Sequence, residues 1–156
     1  MNVRIYVPRD SGALATGAEE VARAVALEGA RRGESIQIVR NGSRGLYWLE
    51  PLVEVETRSG RMAYGPVTPD AVSGLFDAGF LAGGADHELA LGPTEAIHFL
   101  ARQDRLTFAR CGVIDPLDVE QYETHGGFSG FRRAATMGPA AKDGEGTEAG
   151  LRGRGG

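Results

Sequence analysis

The chain predicts an α/β fold: a four-stranded mixed sheet, built in the order βαββα, with helices packed on it. Three observations carry this. Short strand-like apolar runs recur at residues 3–7, 36–39, 52–56 and 61–64. Two segments with helical spacing of apolar residues, 16–33 and 68–80, alternate with them. With 156 residues, 42% hydrophobic and 24% charged, the chain can bury one small core and carry an appendage.

The elements follow in order. Val3-Arg4-Ile5-Tyr6-Val7 alternates apolar with polar or amphipathic side chains and stops at Pro8, which reads as a strand. Thr16 is the expected N-cap of the first helix, with Glu19 three residues on completing a capping box. Val21, Ala22, Val25 and Ala26 give that helix its apolar stripe, Glu19 and Arg23 pair on another face, and Gly33 ends it. Ile36-Gln37-Ile38-Val39 is the second strand. A strand, a helix and a strand within about 40 residues imply a parallel pair with a right-handed crossover. Residues 52–56 and 61–64, joined through Ser59-Gly60, read as a hairpin. Thr68-Pro69-Asp70 opens the next helix, which runs through Val72, Leu75, Phe76 and Phe80.

This order is the minimal thioredoxin-like arrangement. Beyond Gly83-Gly84 the character changes. Residues 93–102 read as a short amphipathic helix with Ile97, Phe99 and Leu100; Asp115 and Pro116 cap another through Tyr122, ended by Gly126 and Gly127; residues 128–137 add a further turn pair. No strand is expected here. The predicted organisation is a domain over 1–84, a helical linker or lead-in over 85–137, and a flexible segment with the start of a Gly-rich loop over 138–156.

Composition excludes several functions. A net charge of −4 argues against a general nucleic-acid binder. Lys142 is the one lysine among 17 basic residues, which fits a GC-rich genome better than selection for bidentate arginine contacts. Cys111 is the single cysteine, so the chain forms no internal disulfide and no cysteine-only metal cluster. No apolar run reaches about 18 residues, and Met1-Asn2-Val3 leads directly into a strand without a signal-peptide pattern; a cytoplasmic location and no membrane contact are expected.

Few residues offer chemistry. Glu50, Glu54 and Glu56 look like a carboxylate set, but strand alternation puts Glu54 and Glu56 on one face, expected to be solvated. Cys111 reads as a small buried hydrophobe. His87, His98 and His125 are scattered without metal spacing; His98 and His125 read as structural or solvated. The loop over 12–17 lacks the Gly-x-Gly-x-x-Gly spacing of a dinucleotide site and reads as an ordinary strand-to-helix turn. Residues 40–50, Arg40-Asn41-Gly42-Ser43-Arg44-Gly45-Leu46-Tyr47-Trp48-Leu49-Glu50, are the most distinctive internal segment. Aromatic residues beside arginines suit an interface, while a lone tryptophan suits a core equally well.

The run Gly150-Leu151-Arg152-Gly153-Arg154-Gly155-Gly156 places glycine wherever backbone must approach something closely. Successive free N–H groups suit a phosphate; composition alone leaves a disordered tail as open. The run resembles the start of the FMN-cradling loop of NADH-binding flavoprotein subunits of respiratory complex I and related diaphorases. Residues 105–110, 112–116, Tyr122 and 126–128 resemble the lead-in to that loop. Residues 5–9 and 39–56 resemble, more particularly, the beta subunit of soluble NAD-dependent formate dehydrogenases, in which a thioredoxin-like domain precedes the flavoprotein domain. The likeness is weakest over 138–150, where such proteins carry a helix.

The resemblance implies that the chain is the N-terminal fragment of an oxidoreductase subunit and breaks off inside the loop of a truncated flavoprotein domain. The full-length protein would bind FMN, NAD and [4Fe–4S] clusters. Its implied partners are a molybdenum-containing alpha subunit and a small [2Fe–2S] subunit, with no nucleic acid. Gly153, Arg154, Gly155 and Gly156 match the FMN-contacting part of the loop; no catalytic or metal-ligating residue falls in the chain. Thioredoxin-like domains of this kind often hold a [2Fe–2S] cluster on cysteines after the first and second strands. The matching stretches, residues 8–13 and 40–45, contain neither cysteine nor histidine. The fragment alone is therefore expected to dock rather than catalyse. Alternatives are a diaphorase subunit of an NAD-reducing hydrogenase or of complex I, and a stand-alone thioredoxin-like binding module. An RNA-binding Arg/Gly tail fits poorly with two arginines and net negative charge.

Overall fold

A computed structural model describes residues 2–150, 152 and 153. The chain divides into two compact units, Met1–Asp118 and Val119–Gly156.

The first unit is built on five strands: β1 (Val3–Tyr6), β2 (Ile36–Val39), β3 (Val53–Thr57), β4 (Gly60–Tyr64) and β5 (Ala90–Pro93). The sheet order is β2-β1-β3-β4-β5. β1 and β2 run parallel, with Val3 opposite Ile36 and Tyr6 opposite Val39; every other pair is antiparallel. This is the thioredoxin-like α/β arrangement expected from the element order, widened by one strand. β5 corrects the four-strand count and the expectation that nothing past residue 84 forms a strand. Its sequence, Ala-Leu-Gly-Pro, carries almost no strand signal. The antiparallel edge of β4 recruits it, at the cost of a register shift between Ala63 and Tyr64.

The first helical stretch is split. α1 (Ser11–Ala15) starts where Asp10 Oδ1 accepts the N–H groups of Gly12 (3.0 Å) and Ala13 (3.2 Å). α2 (Ala18–Arg31) follows Gly17, whose φ of 97° breaks the run. Thr16 is therefore not an N-cap: its hydroxyl donates back to the Ala13 carbonyl at 2.9 Å and closes α1. The earlier cap wins because Asp10 reaches two free donors at once. At the other end Gly33 behaves as expected. With φ at 71°, its N–H bonds to Ala30 and that of Glu34 to Gly29, the two bonds of a Schellman ending. Ala18, Val21, Ala22 and Val25 seat α2 on the sheet beside Ile5, Val53, Val55 and Tyr64. α3 (Val72–Asp77), entered through a 3-10 turn at Pro69–Ala71, adds Val72, Leu75 and Phe76 to the same face.

The opposite face of the sheet is covered too. After β5, a 3-10 turn (Thr94–Ala96) and α4 (His98–Ala101) replace the expected helix over 93–102, and the chain folds back across the sheet. Leu100 is buried with Leu46, Leu52 and Ala63, and Ile97 and Leu91 flank them. Ile114 is buried as well.

The second unit contains α5 (Val119–Thr124), α6 (Ser129–Ala135) and α7 (Pro139–Glu148). Tyr122 meets Phe128 edge-on at 4.9 Å, and ion pairs join Arg132 to Glu123 and Arg133 to Glu145. α7 corrects the flexible segment expected there. Pro139 at its first turn, two alanines and the Glu145 pair offset Gly144 and Gly146. Among the described residues no helix is long and apolar enough to cross a membrane.

Candidate docking surface

The loops after β1 and β2, residues 8–13 and 40–45, lie side by side. Arg9 N–H donates to the Asn41 carbonyl at 2.9 Å. Arg40 binds across the gap, from Nε to the Val7 carbonyl (3.2 Å) and from Nη2 to that of Pro8 (3.3 Å), while its Nη1 pairs with Glu19 (2.7 Å). The donors at the start of α1 already serve the Asp10 carboxylate, so an ordinary turn occupies the place where a phosphate would bind.

Beneath these loops lies a buried charge network. Glu54 is fully buried, contrary to the solvated position expected for it. Arg44 grips it with two bonds, Nε to Oε1 at 3.0 Å and Nη2 to Oε2 at 2.9 Å, and extends Nη1 to the exposed Glu95 at 2.8 Å. Arg61 stands 3.5 Å from Glu54 Oε2 and stacks over the Tyr6 ring at 3.4 Å. Its Nη1 donates to the Gly112 carbonyl (3.1 Å) and its Nη2 to that of Val113 (2.6 Å). Asn41 Nδ2 also donates to Gly112, at 2.7 Å. Burial works to lower the Arg44 pKa, but the facing carboxylates of Glu54 and then Glu95 hold it above its ordinary value. Gly112 has φ of 77°, and a Cβ there would fall 2.3 Å from Arg44 Cδ; only glycine lets that carbonyl come so close. The network is invisible in the sequence because residues 85–137 read as a linker or lead-in rather than as part of the sheet domain. Once residues 94–114 cover the sheet's second face, Glu54 has no water and needs Arg44.

Glu56, two residues along the same face, stays half-exposed, accepting from Tyr6 Oη (2.7 Å) and Arg4 (2.8 Å). Glu50 is buried, accepting from Ser43 Oγ (2.7 Å) and the Leu52 N–H (3.0 Å). Its carboxyl is pushed above the usual range, first by burial and then by the nearby charges of Asp10 and Glu54, against the opposing pull of its two donors. A raised carboxyl pKa contributes stability below the unfolded value, and that contribution is lost as pH rises through the folded one. Glu50→Gln keeps an acceptor for Leu52 and loses the charge. The variant is expected to gain on wild type in urea-melt midpoint as pH rises from 4 to 8; a wild-type advantage growing with pH contradicts this.

Above the network the chain presents an aromatic surface. Tyr47 and Trp48 sit in a 3-10 turn (Tyr47–Leu49) and are 67% and 61% exposed. Trp48 is thus not a core plug. It packs edge-on against Phe99 at 5.3 Å. Beside it runs a groove of about 750 Å³ lined by Arg44, Tyr47, Phe99, Leu106, Phe108 and Cys111. Leu106 is 81% exposed, and Cys111, expected to be buried, is exposed. Leu106 and Phe108 are the residues that sequence reasoning missed; two large apolar side chains in a segment without helical or strand periodicity were the available signal.

The other candidates do not converge on this surface. His87 Nδ1 accepts the Leu89 N–H at 3.2 Å, His98 starts α4, and His125 contacts the Gln121 carbonyl within the second unit. Among the described residues no group of three or more His, Cys, Asp or Glu could hold a metal ion. Gly153 is exposed, and a Cβ there would meet nothing within 4 Å. Arg154, Gly155 and Gly156 lie outside the described residues.

No family model and no curated protein matches the chain. Among solved structures it is similar to the thioredoxin-like [2Fe–2S] ferredoxin from Aquifex aeolicus. The wild-type crystal structure is 20% identical, with 58% of this chain and 96% of that chain covered and a TM-score of 0.48. A cysteine-to-serine variant is 21% identical over 58% and 98%, also with a TM-score of 0.48. The residues after β1 and β2, where the sequence resemblance puts the ligands of such a cluster, do not fit one. Iron–sulfur clusters need thiolate or imidazole ligands, and residues 8–13 and 40–45 provide neither.

Proposed function

We propose that this chain is the N-terminal portion of the flavoprotein subunit of an NAD-linked electron-transfer assembly of the formate dehydrogenase type. Its thioredoxin-like unit serves as a docking module without a cluster of its own. The observation that carries the reading is the exposed Trp48–Phe99 pair, with Tyr47, Leu106 and Phe108 beside it. A contiguous aromatic surface next to charged groups is what a protein interface desolvates. It is carried on a loop pinned by the buried Arg44–Glu54 pair, so it is pre-organised for a partner. In the assembly, FMN would pass electrons between NAD and iron–sulfur clusters held by other segments, and formate oxidation would belong to another subunit. The stand-alone docking module is the second reading, and the same surface favours it.

The assignment of residues 150–156 to an FMN cradle rests on their sequence resemblance. The described residues build no walls around Gly153, and a site that holds FMN must bury most of it. The 156-residue chain is therefore expected to bind FMN negligibly. A chain carrying the residues that follow Gly156 in such subunits is expected to retain FMN, and Gly155→Val in that chain to lose it while remaining folded, as read by flavin absorbance after gel filtration. Stoichiometric FMN on the Gly155→Val protein, or tight binding by the 156-residue chain, contradicts the cradle.

A further inference from the structure

The two edges of the sheet are treated differently. β5 is blunted by Gly92, Pro93 and the register shift beside it. β2 has none of these devices. Val3 and Val7 donate to the carbonyls of Ser35 and Val39, so the odd-numbered residues of β2 turn their backbone toward β1. Ile36 and Ile38 turn theirs outward. Among the described residues, no loop or helix backbone takes those groups up. The side chains invite pairing as well. Ile36 and Ile38 are half-buried, Gln37 is exposed, and no proline or lysine interrupts the strand.

The helix above the strand leaves room. Glu19 reaches Arg40 at one end of β2, and Gly29 abuts Ile36 at the other. Along α2, Ala22, Ala26 and Ala30 follow Glu19 at helical spacing, and Ala26 and Ala30 are exposed. Arg23, which pairs with Glu19 at 3.7 Å, is the long side chain at the Glu19 end of that flank, and it is 70% exposed to solvent.

We propose that a second copy of this chain pairs on β2, antiparallel and centred on Gln37, to make a continuous ten-stranded sheet across a two-fold axis. In this register the outward backbone of Ile36 bonds that of Ile38 of the second copy, and the reverse. Gln37 stands opposite Gln37 of the second copy, where two amides can bond each other. The exposed Glu34 comes opposite Arg40 of the second copy, on the face where Arg40 already holds Glu19. The self-complementary charge placement, acid at one end of the strand and base at the other, selects a second copy over a foreign strand. The aromatic surface at Trp48 is not part of this contact, so the two proposals stand or fall separately.

Sedimentation equilibrium of the full chain tests it, with circular dichroism confirming that each variant is folded. The wild type is expected to be dimeric at roughly 100 µM, a concentration at which even modest affinity registers. Gln37→Lys and Gln37→Glu each place like charges face to face across the axis, and each is expected to dissociate at least about tenfold more readily. An equimolar mixture of the two is expected to restore the dimer. A monomeric wild type, a Gln37→Lys protein as tightly dimeric as wild type, or a mixture no tighter than its components overturns the proposal.

Discussion

Glu54→Ala is expected to cost about 3–5 kcal/mol of unfolding free energy, the range for breaking a buried ion pair by removing one partner. Glu54 has no exposed surface, and its two oxygens hold the fork of Arg44 at 3.0 and 2.9 Å. Removing the carboxylate strands a guanidinium whose side chain is only 4% exposed, with Glu95 at the surface as its remaining acid. Arg61 loses part of its balance as well. The loop that presents Tyr47 and Trp48 should loosen with it. Replacing both partners by apolar residues, Arg44→Met with Glu54→Leu, should cost less than Glu54→Ala alone, because no buried charge is then left unpaired. Urea denaturation of the three proteins decides this. A Glu54→Ala protein within about 1 kcal/mol of wild type would mean that the pair is not held dry.

Trp48→Ala is expected to act in the opposite way: nearly silent for folding and large for assembly. The side chain is mostly exposed, and its aromatic contact with Phe99 is worth about 0.5–1.5 kcal/mol. Stability should fall by no more than that. If Trp48 anchors a partner, truncating it should weaken association of the intact subunit with the rest of its assembly by about 2 kcal/mol or more, the level of an interface anchor. Equal assembly by the mutant would remove Trp48 from the interface.

How far the sequence could be read depended on which contacts were local. β1, α2, β2 and the β3–β4 hairpin were legible because each announces itself through alternation, an apolar stripe and a Gly or Pro boundary within a few residues. The Gly33 helix ending was legible for the same reason. The cap of α2 was misplaced because two caps compete over six residues, and Asp10 starts a separate turn that propensity alone does not favour over Thr16. β5 and the cover over the second face are long-range. Leu100 reaches Leu46, and Gly112 reaches Arg61 and Arg44, across about 50 to 70 residues, and no periodicity records such a meeting. The error at Glu54 follows from that gap, because alternation gives the face of a strand and not what lies on it. The candidate site was half legible. Arg44, Tyr47 and Trp48 stood out by composition, whereas Phe99, Leu106 and Phe108 joined them only in three dimensions.

The chain keeps a thioredoxin-like fold while residues 8–13 and 40–45, after β1 and β2, carry no cysteine or histidine to ligate a cluster. Anaerobic reconstitution of the full chain with iron and sulfide, followed by desalting and electron paramagnetic resonance after reduction, shows whether any cluster forms. Cys111 is the only thiol, exposed on the groove and with no other cysteine to share a cluster. A colourless protein with no stoichiometric signal and an unchanged melt is expected. A reduced [2Fe–2S] spectrum at stoichiometric yield would contradict it.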